Sequence, residues 1–139
     1  MTFLVIDDIA YIRVLIKNIL VEECGFNEGD IIEASCGIEA LSIYEAQKPD
    51  IIFCDILMPD FNGIEVVEKI MSTYPNATII MCTSSSEAED VKTCIGLGAK
   101  DYILKPPTVE RIKLAIEKVR PNTFPETIAA GKVFEADTE

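Results

Sequence analysis

The sequence predicts an α/β fold, a parallel sheet with helices packed on both faces. Three observations carry this. Five short apolar runs alternate strictly with five helix-period segments. The runs are continuously apolar rather than alternating, as in strands buried on both sides. The chain is 139 residues long and 49% hydrophobic, enough for one domain with a real core.

The elements follow in order. Residues 3–6 read as a buried strand. Ile9, Ile12, Ile16, Ile19 and Leu20 then recur at helical spacing, and Gly25 is the helix stop. Residues 31–34 form a second, shorter strand. Ile38, Leu41 and Tyr44 mark a second helix, ended before Pro49. Residues 51–54 are the third strand. The third helix covers 63–73, with Ile64, Val67 and Met71 on one face and Pro75 just beyond. Residues 78–83 are the fourth strand. A weaker helix follows over 87–97, with Val91 and Ile95 inward and Gly96 and Gly98 at its end. Residues 101–104 are the fifth strand. Val109, Ile112, Ile116 and Val119 line the last helix, begun near Pro107. The pattern breaks at Pro121. Residues 121–139, punctuated by Pro121, Pro125 and Gly131, are expected to form a tail with at most one short element.

Composition excludes several classes of function. Asp and Glu number 24 against 12 Lys and Arg, a net charge of −12. Such a surface repels phosphate backbones and anionic membranes, so neither nucleic acid nor membrane is an expected partner. There is no histidine. That rules out Ser-His-Asp and Cys-His catalysis, His-ligated zinc and a phosphohistidine carrier. Five cysteines form no CxxC pair, and Cys54 and Cys82 sit inside apolar runs. Reduced, buried, structural thiols are expected, which suits a cytoplasmic protein. The first residues, MTFLVIDD, have no basic flank and are too short an apolar run for a signal peptide or a membrane span.

In open α/β sheets, chemistry gathers beyond the carboxyl ends of the strands. The first strand delivers Asp7 and Asp8 there. The second delivers only Ser35 and Cys36. The third delivers Asp55, the fourth Thr83 with Ser84 and Ser85, and the fifth Lys105 before Pro106. Three converging carboxylates repel one another unless a cation joins them. Mg²⁺ suits such a set, because it takes oxygen ligands and commonly binds one or two carboxylates plus a phosphate. A lysine and a threonine hydroxyl beside them can neutralise a phosphoryl group, and a carboxylate can be the nucleophile that accepts it.

The stretches FLVIDD, DIIFCDILMPDFNG, IIMCTSS and GAKDYILKP resemble the receiver domains of two-component response regulators, of the single-domain chemotaxis type. The resemblance covers about residues 3–120. It implies a receiver domain over 1–120 with a tail at 121–139, and a doubly wound (βα)5 fold of flavodoxin-like strand order 2-1-3-4-5. By the same resemblance Asp55 is the phosphoacceptor. Asp8, Asp55 and the Leu57 carbonyl are Mg²⁺ ligands, and Asp7 acts through a water. Lys105 pairs with the phosphoryl group, and its bond to Pro106 is cis. Thr83 and Tyr102 are the switch pair. The implied function is a phosphorylation-activated signalling switch rather than an enzyme. It would be charged by a sensor histidine kinase or a histidine phosphotransfer protein. Its fourth helix, fifth strand and fifth helix would then regulate a downstream protein, from a monomer or a phosphorylation-dependent dimer. No output domain follows the last helix, so output is expected by protein contact or from a domain outside this sequence.

Departures lie at Leu57, Ser84, Ser85 and Asn62. Leu57 brings no polar group to orient an attacking water, and Asn62 stands where Asp is frequent. Other classes fit less well. A flavin carrier needs a neutral phosphate loop where this chain has DDIAYIR, and a dehalogenase-type phosphatase has its acids in a DxD pattern on the first strand. A phosphorylation-independent interaction module on the same fold is the alternative that the intact acidic set opposes.

Overall fold

The computed structural model describes residues 1–124. Strands β1 (Phe3–Ile6), β2 (Ile31–Ala34), β3 (Ile51–Asp55), β4 (Ile79–Thr83) and β5 (Asp101–Leu104) alternate with five helices. These are α1 (Ala10–Asn18), α2 (Gly37–Gln47), α3 (Gly63–Thr73), α4 (Ala88–Leu97) and α5 (Val109–Val119). Every neighbouring pair is parallel, in the order β2-β1-β3-β4-β5. The expected doubly wound fold is therefore the observed one.

Alternate residues of each strand enter opposite cores. Leu4, Ile6, Ile52, Cys54, Ile79 and Met81 pack with α2, α3 and α4. Phe3, Val5, Ile51, Phe53, Ile80 and Cys82 pack with α1 and α5. Both faces of β1, β3 and β4 are covered, so their sequences are apolar up to the Asp55 and Thr83 that end β3 and β4. Each fully buried aliphatic or aromatic side chain there contributes roughly 1.5–3 kcal/mol.

The edges depart from the expectation. β5 alternates, with Asp101 and Ile103 buried and Tyr102 and Leu104 exposed. It is an edge strand, and α4 leaves part of its face open. Ile95 does not point inward as expected; it is 42% exposed, whereas Val91 and Cys94 are buried. The helix turns about 100° per residue, so with positions 91 and 94 on the core Ile95 lies on the flank beside Val91, where it borders the open groove against β5. Ile9 and Ile38 are also exposed. Ile9 is the N-cap of α1 and lies outside it. Beyond α1 the chain continues through a π-helical turn at Ile19–Glu23 to Gly25, whose φ is +83°. The three most buried thiols are Cys54, Cys82 and Cys94, while Cys24 and Cys36 are half-buried.

At the start of α3, Asn62 and Glu65 form a reciprocal capping box. Gly63 closes against the chain leaving β3. A Cβ on it would lie 2.8 Å from the Ile56 Cα and nearer still to the Asp55 carbonyl. Only glycine lets the helix approach the end of β3 so closely. Of the expected tail, the described part runs over the surface to Phe124. That ring is buried, 6.0 Å from the Phe26 ring. Residues 125–139 lie outside the described residues. Among the described residues, no helix is long and apolar enough to cross a membrane.

Candidate functional site

Strand order reverses at β1, whose neighbours are β2 and β3. A doubly wound sheet opens a crevice beyond the carboxyl ends at such a point. Register fills it. Ile6 pairs with Cys54, so Asp7 comes level with Asp55. Asp55 pairs with Cys82 and Thr83 with Leu104, so Thr83 and Lys105 follow on the same edge. Pairing thus assembles residues separated by up to a hundred positions.

Asp55 ends β3 and is buried. Its Oδ1 accepts from the Ile56 amide at 2.8 Å and from Lys105 Nζ at 2.9 Å. Asp7, also buried, accepts through Oδ1 from the Ile9 amide at 2.9 Å. Its Oδ2 lies 3.1 Å from Lys105 Nζ, out of line for a good hydrogen bond, and has no other partner among the described residues. Asp8 is exposed at the mouth. One carboxylate oxygen each from Asp7, Asp8 and Asp55 lies within 4.8 Å of the others. The Lys105 amide donates to the Thr83 carbonyl at 2.7 Å, which ties the ends of β4 and β5 together. The Lys105–Pro106 bond is cis, as the resemblance implies.

Electrostatics follow from burial. Desolvation pushes the Asp55 carboxyl up to about 6; the Lys105 hydrogen bond opposes this and the neighbouring Asp7 charge adds to it. Burial alone would lower the Lys105 ammonium, but Asp55 and Asp7 outweigh it and hold the group charged. One cation serves two buried carboxylates, with a third at the mouth. The orphaned Asp7 Oδ2 and the close oxygens suit a hard divalent cation.

The remaining expected residues are nearby but differently engaged. Thr83 is fully buried, and its hydroxyl donates to Glu87 Oε1. Tyr102 is 42% exposed. It lines a groove of about 530 Å³ together with Thr83, Val91, Ile95 and Leu104. The Leu57 side chain is 60% exposed beside the pocket. Ser35 and Cys36 take no part; the Ser35 amide donates to Glu39.

Three further residues shape the site and escape a sequence reading. Arg13 donates to the Asp7 carbonyl at 2.7 Å and to Glu33 at 3.0 Å, which clamps the turn after β1. Asp60, in the loop after β3, accepts from the Gly37 and Ile38 amides at the start of α2. Those backbone bonds hold its pKa down at about 2. Glu87 caps the segment leading into α4, accepting from the Ser84 amide at 3.1 Å. Only Glu87 carried a local signal, the S-x-x-E spacing of a helix start in SSSE.

Residues 3–117 match the family model described as response regulator receiver domain. The chain belongs to that family. It is 40% identical over 115 residues to the chemotaxis protein CheY of Listeria monocytogenes, covering 83% of this chain and 94% of that protein. It is also 40% identical over 116 residues to the chemotaxis protein CheY of Thermotoga maritima, covering 84% and 94%. Among solved structures, a CheX-CheY-BeF3-Mg+2 complex from Borrelia burgdorferi superposes with a TM-score of 0.78 at 32% identity, covering 86% of this chain and 88% of that chain. A receiver domain protein from Clostridium thermocellum gives 0.77 at 28% identity, with 85% and 92% covered. This chain is thus a receiver domain of two-component signalling, similar to chemotaxis CheY proteins over nearly their whole length.

Proposed function

We propose that this receiver domain accepts a phosphoryl group on Asp55 from a histidine kinase or histidine phosphotransfer protein. The observation that carries the reading is the Asp55 carboxylate itself. It is buried at a strand end, 2.9 Å from Lys105 Nζ, with carboxylate oxygens of Asp7 and Asp8 within 4.8 Å. Asp55 attacks phosphorus in line; the P–N bond to the donor imidazole breaks as the carboxylate O–P bond forms. Lys105 Nζ balances charge growing on the phosphoryl oxygens. Asp8, Asp55 and the Leu57 carbonyl would hold Mg²⁺, with Asp7 acting through a water, and the ion would supply further charge neutralisation.

Phosphorylation then draws the Thr83 hydroxyl toward the new oxygens, and Tyr102 turns into the groove it borders. The surface of α4, β5 and α5 changes affinity for a downstream protein. Water later hydrolyses the acyl phosphate. The domain is a switch, with turnover limited to its own charging and discharge. The net charge of −12 favours basic partner surfaces over nucleic acid. Intact mass after incubation with acetyl phosphate and Mg²⁺ tests this. Wild type should gain one phosphoryl group and Asp55→Asn none; equal labelling of both refutes the assignment. Size exclusion on the same samples reports whether the charged form dimerises.

A further inference from the structure

Among the described residues, two buried carboxylates lie outside the acidic pocket. Asp101 is paired with Arg111 and Lys118. Glu87 is only 8% exposed, yet it forms no ion pair among the described residues. Its compensation is two neutral donors on one oxygen, the Ser84 amide at 3.1 Å and the Thr83 hydroxyl. A buried carboxylate depends heavily on such donors, because each one lost leaves charge unsolvated.

The Thr83 hydroxyl has a single proton. Thr83 has no exposed surface although it borders the groove, so its hydroxyl is satisfied from within the protein. In this conformation that proton is given to Glu87, with the Ser84 carbonyl a more distant acceptor at 3.3 Å, and not to the Asp55–Lys105 pocket. Bonds to an ionised acceptor are roughly twice as strong as neutral ones. The hydroxyl is therefore engaged by a competitor for any phosphoryl oxygen on Asp55.

We propose that Glu87 is a positioning residue, a catch that holds Thr83 in the resting conformation and sets how readily the domain switches. This rests on the phosphoacceptor reading above. Switching then exchanges one hydrogen bond for another: Thr83 Oγ1 releases Glu87 Oε1 and donates to a phosphoryl oxygen. No covalent bond changes in that step. Glu87 keeps the Ser84 amide but loses its second donor, and that loss opposes the active state. Only the fraction of molecules with Thr83 released is competent, and apparent affinity for a phosphoryl group scales with that fraction.

Glu87→Gln separates this role from helix capping, since Gln serves the same capping position while lacking the charge. The probe is beryllofluoride with saturating Mg²⁺, titrated by ¹⁹F NMR. Glu87→Gln should bind it roughly tenfold more tightly than wild type. In a Thr83→Val background, which removes the hydroxyl at constant shape, Glu87→Gln should change binding by less than about twofold. Thr83→Ala serves as the background if the valine form melts early. Equal affinity of wild type and Glu87→Gln overturns the catch. So does a tenfold gain that persists without the Thr83 hydroxyl, which would mark a bulk charge effect. If wild type binds no beryllofluoride at all, the phosphoacceptor reading fails and the catch with it.

Discussion

Asp55 is held against its ordinary chemistry. Burial first, and the Asp7 charge after it, raise its pKa from 3.8 to about 6 despite Lys105. A carboxyl with a raised folded pKa favours folding fully below its unfolded value, and that contribution is lost as pH rises through the folded one. At pH 7 the metal-free domain therefore carries an ionised Asp55 that weakens it. Asp55→Asn should stabilise the metal-free protein at pH 7 by on the order of 2 kcal/mol. Urea melts should show that gap closing near pH 4. Mg²⁺ should stabilise wild type and leave Asp55→Asn nearly unchanged, since in the proposed function Asp55 is one of its ligands. Lys105→Ala removes the cation shared by Asp55 and Asp7. Phosphoryl uptake from acetyl phosphate should slow by roughly 100-fold, the scale of losing one preorganised charge.

Helix starts and strand ends share the work of aiming these residues. α3 begins with the Asn62–Glu65 box, so Asn62→Ala should destabilise by about 1 kcal/mol in thermal or urea melts. Gly63 makes a different demand. Its added Cβ would meet backbone at the end of β3, which cannot swing aside as a side chain can. Gly63→Ala should shift the Asp55–Ile56 peptide and impair phosphoryl uptake more than stability, a ratio that separates it from Asn62→Ala. Both residues were legible as a turn and a helix start, since N-G followed by a helical period has a local meaning. The Asp60 contact with α2 was not. It joins residues more than twenty positions apart, and no spacing rule reaches that far. α4 was legible as a helix, but its inward face was misjudged at Ile95, because a short helix with few apolar residues fits more than one rotation.

At the scale of the whole molecule, sheet order brings the acids together and the aromatic contacts at the far end brace it. Phe3, Phe26 and Phe124 form a chain of rings with centroids 4.7 and 6.0 Å apart. Phe124→Ala should lower stability by about 3 kcal/mol while leaving Mg²⁺ affinity unchanged, since it lies in the α1–α5 core rather than the pocket. Paired denaturation and metal titrations check both halves. The sequence by itself determined the α/β class, because strands buried on both faces must be apolar and crossover helices must carry a period. It also placed Asp7, Asp8, Asp55, Thr83 and Lys105 at strand ends, where any parallel sheet exposes its chemistry. Tertiary structure alone decided which partners those side chains take. Lys105 is shared between two carboxylates, Arg13 holds the turn under Asp7, and the Thr83 hydroxyl is given to Glu87. Such choices depend on distances between segments remote in sequence and on the burial that closes off water, and neither is written in local pattern.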